Sequence, residues 1–406
     1  MAERTIDAQR ARMWRGPFRK GAFCRGMALV AACLLSACQT LVPRGPVDAP
    51  PSRPVQPAQR PQQPGFEAGI PRDVARHRIA LLVPLSGGNA GVGQSIANAT
   101  QLAVLDTGAD QLRITTYDTA AGAGAAASRA VADGAQLILG PLLAEDVRAV
   151  APVARAAGVP LLSFSNDASV AGNGAYLMGY APSQSIERVV AYARGRGVTS
   201  FAGLVPNGLY GERASTAFLR AVEGAGGQVV SLQTYVRGSA APAVTRLNAK
   251  APYGAVLVAD SGAAAAASAP GIKRASPGVH VLGTELWNSE AGIGARAALS
   301  GAWFASVSDT LYRQYATKYR ARFGTAPYRL SSLGYDAVLL TVRIARDWPV
   351  GRPFPEARLR DPGGFSGIDG AFRFGRDATA ERALEVQEIR GGAAVVVSPA
   401  PAGFGR

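Results

Sequence analysis

Ile79-Ala80-Leu81-Leu82-Val83-Pro84-Leu85-Ser86-Gly87 sets the fold class. Five apolar residues run without a polar break and then meet a proline and a glycine-rich loop. A strand covered on one face alternates apolar with polar; an unbroken run marks a strand buried on both faces, as in a parallel sheet. The next segments repeat the theme. Helical spacing over 95–105 follows, then a predicted strand at 112–117, a helix at 125–133, a strand at 137–139, a helix at 147–157 and a strand at 159–163. Strands alternating with helices are the pattern of βαβ units.

The pattern restarts after Pro182. Helices are predicted at 185–194, 212–225 and 243–249, and strands at 200–205, 228–235, 255–259 and 279–282. Two long helices, 311–323 and 331–347, come next. The tail reads as a hairpin of 371–374 and 383–389 around Gly375-Arg376-Asp377, with a third strand at 395–397. Two sheets in one chain predict two lobes: residues 77–181 plus 302–348, and 182–301 plus 349–406. Crossings are expected near Ala181, Gly301 and Pro349. Ligands in such folds lie beyond the carboxyl ends of strands, in the cleft.

The sequence before residue 77 is of another kind. Arg15, Arg19, Lys20 and Arg25 precede a short apolar run, Met27 to Leu35, which ends in Leu35-Ser36-Ala37-Cys38. That is the order of a secretory signal peptide, and it resembles the bacterial lipobox. The run is about half the length needed to span a bilayer. The resemblance implies removal of residues 1–37 and lipidation of Cys38. Gln39 in place of aspartate implies the outer membrane. Residues 38–76 contain nine prolines from Pro43 to Pro71. They read as an extended tether of up to roughly 100 Å.

Composition removes several functions. Cys24, Cys33 and Cys38 are the three cysteines, and His77 and His280 the two histidines, of 406 residues. A disulfide framework or a His/Cys zinc site has no material to form from. The formal charge is +15, but the arginines are dispersed and not interleaved with aromatics, so nucleic acid is not an expected partner. Gly93-Gln94-Ser95 faintly imitates a nucleophile elbow, and Gly122-Ala123-Gly124 a dinucleotide loop. The first needs a histidine base, and the second is ordinary in an Ala/Gly-rich helix start. Asp118, Asp260 and Asp336 read as strand-end or helix-cap residues. No cofactor and no catalysis are expected.

The order of Ile79–Gly87, Leu139-Gly140-Pro141, Ala151-Pro152-Val153-Ala154, Gly158–Ser163 and Tyr210-Gly211 resembles the type I periplasmic-binding-protein family, of the branched-chain-amino-acid receptor kind, over about 78–400. Leu282-Gly283-Thr284-Glu285-Leu286-Trp287-Asn288, Leu333–Val338, Asp369–Phe374 and Glu381-Arg382 are similar to the lipoprotein activators of penicillin-binding proteins. The first resemblance implies an α/β, two-lobed fold and a cleft for a small polar ligand. Ser86, Ser165, Asn166 and Asp167 would stand on one side; Tyr210 would wall the other, with Glu285 as partner of a ligand cation. The loop Leu142-Leu143-Ala144 lacks the hydroxyls that hold a carboxylate in the amino-acid receptors. Tyr210 and Glu285 are read either as ligand contacts or as scaffold that closes the hinge. The second resemblance implies a regulator of a peptidoglycan synthase, while the first leaves open a substrate-binding lipoprotein of an ABC transporter.

Overall fold

The computed structural model describes residues 75–404. The predicted signal peptide, Cys38 and nearly all of the tether lie outside the described residues. Within them no helix is long and apolar enough to cross a membrane.

The first lobe begins with β1 (His77–Val83), α1 (Ala90–Thr107), β2 (Leu112–Asp118), α2 (Ala123–Ala132), β3 (Leu137–Leu139), α3 (Ala144–Ala156), β4 (Leu161–Ser163) and β5 (Ala175–Leu177). The five strands form one parallel sheet in the order β2-β1-β3-β4-β5. Side chains alternate across a strand, and β1 uses both faces. Ile79, Leu81 and Val83 enter the core shared with α1, whereas Ala80 and Leu82 enter the core beneath α2 and α3. The unbroken apolar run is thus required by two cores at once.

The second lobe comprises α4 (Pro182–Gly195), β6 (Ser200–Pro206), α5 (Leu209–Gly224), β7 (Gln228–Tyr235), α6 (Ala241–Asn248), β8 (Ala255–Val258), α7 (Gly262–Ala275), β9 (His280–Gly283) and β10 (Trp303–Ser306). It repeats the device: Ala202 and Leu204 of β6 face one core, and Phe201 and Val205 the other. The chain then returns to the first lobe as α8 (Thr310–Phe323) and α9 (Ser331–Ala345), followed by β11 (Phe365–Gly367), β12 (Gly370–Phe374) and β13 (Ala380–Arg382). These three strands form a small antiparallel sheet whose Phe365, Phe372 and Phe374 join the first lobe's core. Finally β14 (Glu385–Arg390) and β15 (Ala393–Ser398) complete a seven-stranded sheet, β15-β14-β10-β9-β8-β6-β7.

Two expected boundaries move. The second crossing follows β10, because Trp303–Ser306 pairs with β9 and β14 in the second lobe instead of opening the first. The third crossing falls near Ala383 and not Pro349, because the apolar side chains of β11–β13 bury against α9. The tail hairpin is also divided. Gly370–Phe374 pairs with Ala380–Arg382, which precedes the expected second strand, while Glu385–Arg390, which covers most of that strand, pairs with β10 and β15 across the crossing.

The first strand–helix corner is built alike in both lobes. A Cβ on Gly93 of α1 would lie 1.7 Å from the Pro84 carbonyl oxygen, and one on Gly211 of α5 1.6 Å from that of Pro206. Each helix starts against the end of its strand only because no side chain intervenes.

Candidate functional site

Loops from the strand ends of both lobes enclose a cavity of about 390 Å³. The second lobe contributes Ser185 from α4 and Glu285 and Leu286 from the short 3-10 helix Glu285–Ser289 after β9. Thr284 caps that helix by accepting from the Leu286 amide, which fixes Glu285 at the cavity edge. The Glu285 carboxylate accepts hydrogen bonds from the Ser185 hydroxyl and, at 3.0 Å, from the Tyr210 hydroxyl. Burial raises its pKa, and these donors oppose the rise. Burial and the nearby Glu285 charge push the Tyr210 phenol up, so it stays a donor.

The first lobe contributes Val92, Leu142, Phe164, Asn166, Tyr180, Arg329 and Arg382 among its wall residues. Arg329, just before α9, and Arg382, at the end of β13, are each 8% exposed. Between them lies Asp369, fully buried. Arg329 Nη1 donates to Asp369 Oδ1 at 2.7 Å and to Ser332 Oγ at 2.9 Å. The Tyr180 hydroxyl donates to Asp369 Oδ2 at 2.5 Å. Arg382 Nη2 donates to the Met178 carbonyl at 2.6 Å, and its guanidinium lies over the Tyr180 and Phe372 rings. Burial alone would raise the Asp369 carboxyl; the two guanidinium charges outweigh it and hold the group below the usual carboxylate range. Asp336 in α9 has the opposite fate. Burial, then the Asp369 charge, pushes it up to about 8. Its Oδ1 accepts from the Ile368 amide at 2.7 Å, and its Oδ2 has no hydrogen-bond partner.

Of the residues named from sequence, Asn166 and Glu285 line the cavity. Tyr210 stands one layer behind Glu285. Ser165 is buried in its own loop, where its hydroxyl accepts from the Asp167 amide. Ser86 is exposed and donates to Asp118 Oδ2 at 3.1 Å; Asp118 in turn holds the strand-end turn through the Leu85 and Ala120 amides. Asp167 caps the turn Ala168–Val170 and is paired with Arg148 of α3 and, across the lobes, with Arg213 of α5 at 2.5 Å. Ser95 lies buried in α1 and accepts from the Tyr328 amide. His77 stacks on Trp348 and His280 on Trp303, with centroids 3.7 and 3.8 Å apart. No cluster of metal-ligating side chains occurs among the described residues.

Sequence reading does not place Arg329, Arg382 or Ser185 in the cleft; Arg382 figures only within the activator-like pair Glu381-Arg382. For Arg382 a signal existed: in a strand, Ala380 and residue 382 share a face, and Ala380 is an inward position. Arg329 carried none, because its partner is 40 residues away.

A two-lobed α/β domain with charged groups converging on an inter-lobe cavity is the architecture of a binding protein. The chain belongs to the periplasmic binding protein family, which it matches over residues 77–393. Among solved structures, a branched-chain amino acid ABC transporter protein of Rhodospirillum rubrum is 21% identical, with a TM-score of 0.71, covering 79% of this chain and all of that one. LpoA of Haemophilus influenzae is 20% identical, with a TM-score of 0.63, covering 80% of this chain and 59% of that one. A Rhodopseudomonas palustris solute-binding protein in complex with 3,4-dihydroxybenzoic acid is 18% identical, with a TM-score of 0.61, over 81% of this chain and 98% of that one. At these identities the likeness establishes the fold. Among curated proteins, the uncharacterized RP748 of Rickettsia prowazekii is 27% identical over 139 residues, 34% of this chain and 37% of that protein.

Proposed function

We propose that this chain is a non-catalytic envelope lipoprotein that binds a small molecule between its lobes. Lipidation at Cys38 anchors it to the periplasmic side of the outer membrane, and the proline-rich segment holds the domain away from the surface. The observation that carries the binding reading is the convergence of Glu285, Arg329 and Arg382 on one cavity. Each buried ion costs several kcal/mol in desolvation, and a cleft under no demand to bind has no use for three of them. Thermal unfolding of the full-length chain with amino acids, organic acids, amides, muropeptides and nucleotides tests this. A ligand at a hundred times its Kd adds about 2.7 kcal/mol. Failure of every class to shift the transition refutes the reading.

A second reading is regulation of a peptidoglycan synthase, supported by the likeness to LpoA and by the activator-like segments. Those segments build the cleft: Glu285 is on its wall and Asp369 beneath it. On this reading occupancy of the cavity would report to the synthase. Capture of a penicillin-binding protein from solubilised envelopes by the lipidated chain, dependent on ligand, separates it from transport.

A further inference from the structure

We infer that residues 399–404, which follow β15, form a strap from the second lobe to the first and hold the lobes at their present angle. The strap acts whether or not the cleft is occupied, so it stands apart from the binding reading above.

The strap starts on the second lobe, where Arg188 of α4 fastens it. Arg188 Nη2 donates to the Ser398 hydroxyl at 2.6 Å and to the Pro399 carbonyl at 3.4 Å. The same guanidinium donates through Nε to the Leu384 carbonyl at 3.1 Å, in the third crossing itself. The strap ends on the first lobe. The Arg373 guanidinium of β12 lies over the Phe404 ring, 4.7 Å from its centroid. Glu381, the cross-strand partner of Arg373 in β13, aims that guanidinium by accepting from its Nε at 2.8 Å. Gln184 of α4 grips the same hairpin, accepting from the Arg382 amide and donating to the Ala380 carbonyl. The second lobe thus holds the β12–β13 hairpin at two places, by the Gln184 amide and by the Phe404 ring.

The segment is built as a tie and not as a piece of core. Pro401, Ala402 and Gly403 are exposed, and Phe404 is half-buried. A space of about 660 Å³ separates the strap from the crossing and α4. Stabilisation scales with the apolar area removed from water, and here that area is small. Pro399 and Pro401 each fix φ, which restricts the shapes available between the two anchors. Rotation of the lobes about their crossings must therefore strain the strap or lift Phe404 off Arg373. Hinge conformers lie close in free energy, so one contact of this kind shifts their populations.

X-ray scattering and urea unfolding of the ligand-free full-length chain test the strap with two variants, Phe404→Ala and Phe404→Trp. The Asp167–Arg213 pair joins the lobes in this structure, so releasing the strap should let them part. Phe404→Ala should raise the radius of gyration above the parent's and leave the urea midpoint unchanged. Phe404→Trp keeps a ring for Arg373 and should match the parent in both. A radius that is unchanged or smaller in Phe404→Ala overturns the inference. So does a radius as large in Phe404→Trp as in Phe404→Ala, because the ring face would then not be the anchor. A lower urea midpoint in Phe404→Ala overturns it too, because Phe404 would then belong to the core. No ligand enters the experiment, so each of these outcomes leaves the binding reading standing.

Discussion

The two walls of the cleft are made in different ways. On the second lobe a single acid, Glu285, is held by neutral hydroxyl donors from Ser185 and Tyr210. On the first lobe Arg329 is paired with buried Asp369, Tyr180 and Ser332 fill the remaining sites of that acid, and Arg382 adds its charge nearby while bonding the Met178 carbonyl. Removing the charge of Glu285 strands no counter-charge. Removing that of Asp369 takes from buried Arg329 its nearest counter-charge.

The contrast predicts unequal responses to neutralisation. Asp369→Ala should cost about 3–5 kcal/mol, the usual loss when one partner of a buried ion pair is deleted. Glu285→Gln should leave stability within about 1 kcal/mol, because the amide oxygen keeps an acceptor and the desolvated charge is gone. Urea unfolding of both variants measures this; similar losses would mean that the walls are not organised differently. Beneath the walls the comparison reverses, since the Pro84–Gly93 and Pro206–Gly211 corners are alike. Gly93→Ala and Gly211→Ala should each cost about 1–3 kcal/mol by overpacking. A large loss in one lobe only would show that the corners are not equivalent.

Asp336 sharpens the picture of the first wall. Its folded pKa lies above its unfolded value, so the native state holds the proton more tightly. This group's contribution is therefore fully present below about pH 4 and falls as pH rises toward about 8. Asp336→Asn should remove that decline, changing the pH 5 to pH 8 difference by roughly 3–4 kcal/mol. Urea midpoints across that range test the sign. A decline that persists in the variant would place its origin elsewhere.

The walls also differ in how far the sequence revealed them. Glu285 is read from a local segment, because it follows a strand end directly. Arg329, Asp369 and Arg382 meet only through the packing of α9 against the small sheet, and no local periodicity records that meeting. The same distinction runs through the fold. Leu137–Leu139 and Gln228–Tyr235 appear with the predicted limits, since strong β-formers and turns bound them. The helix Gly262–Ala275 was missed because alanine and glycine give little apolar contrast and Pro270 interrupts the pattern. The strands Ala175–Leu177 and Trp303–Ser306 are not in the sequence reading, and missing the second displaced a lobe boundary.

The smallest expected effect lies at the rim, where the walls meet. Asp167 belongs to a first-lobe loop and Arg213 to a second-lobe helix, so their ion pair exists only when the lobes approach. Burial alone would raise the Asp167 carboxyl; the Ser169 and Arg213 hydrogen bonds outweigh it and depress the pKa. A depressed pKa adds stability above the unfolded value near pH 4, and the contribution is lost as pH falls below it. Arg213 is 29% exposed and Arg148 remains as a second partner. Arg213→Ala should therefore cost about 1 kcal/mol or less at neutral pH. Its larger signature should be geometric: X-ray scattering should show a larger radius of gyration for the ligand-free variant than for the parent at pH 7, with a smaller difference at a pH low enough to protonate Asp167 in the folded state. Equal radii at both pH values would make the pair a passenger of closure instead of a clasp that favours it.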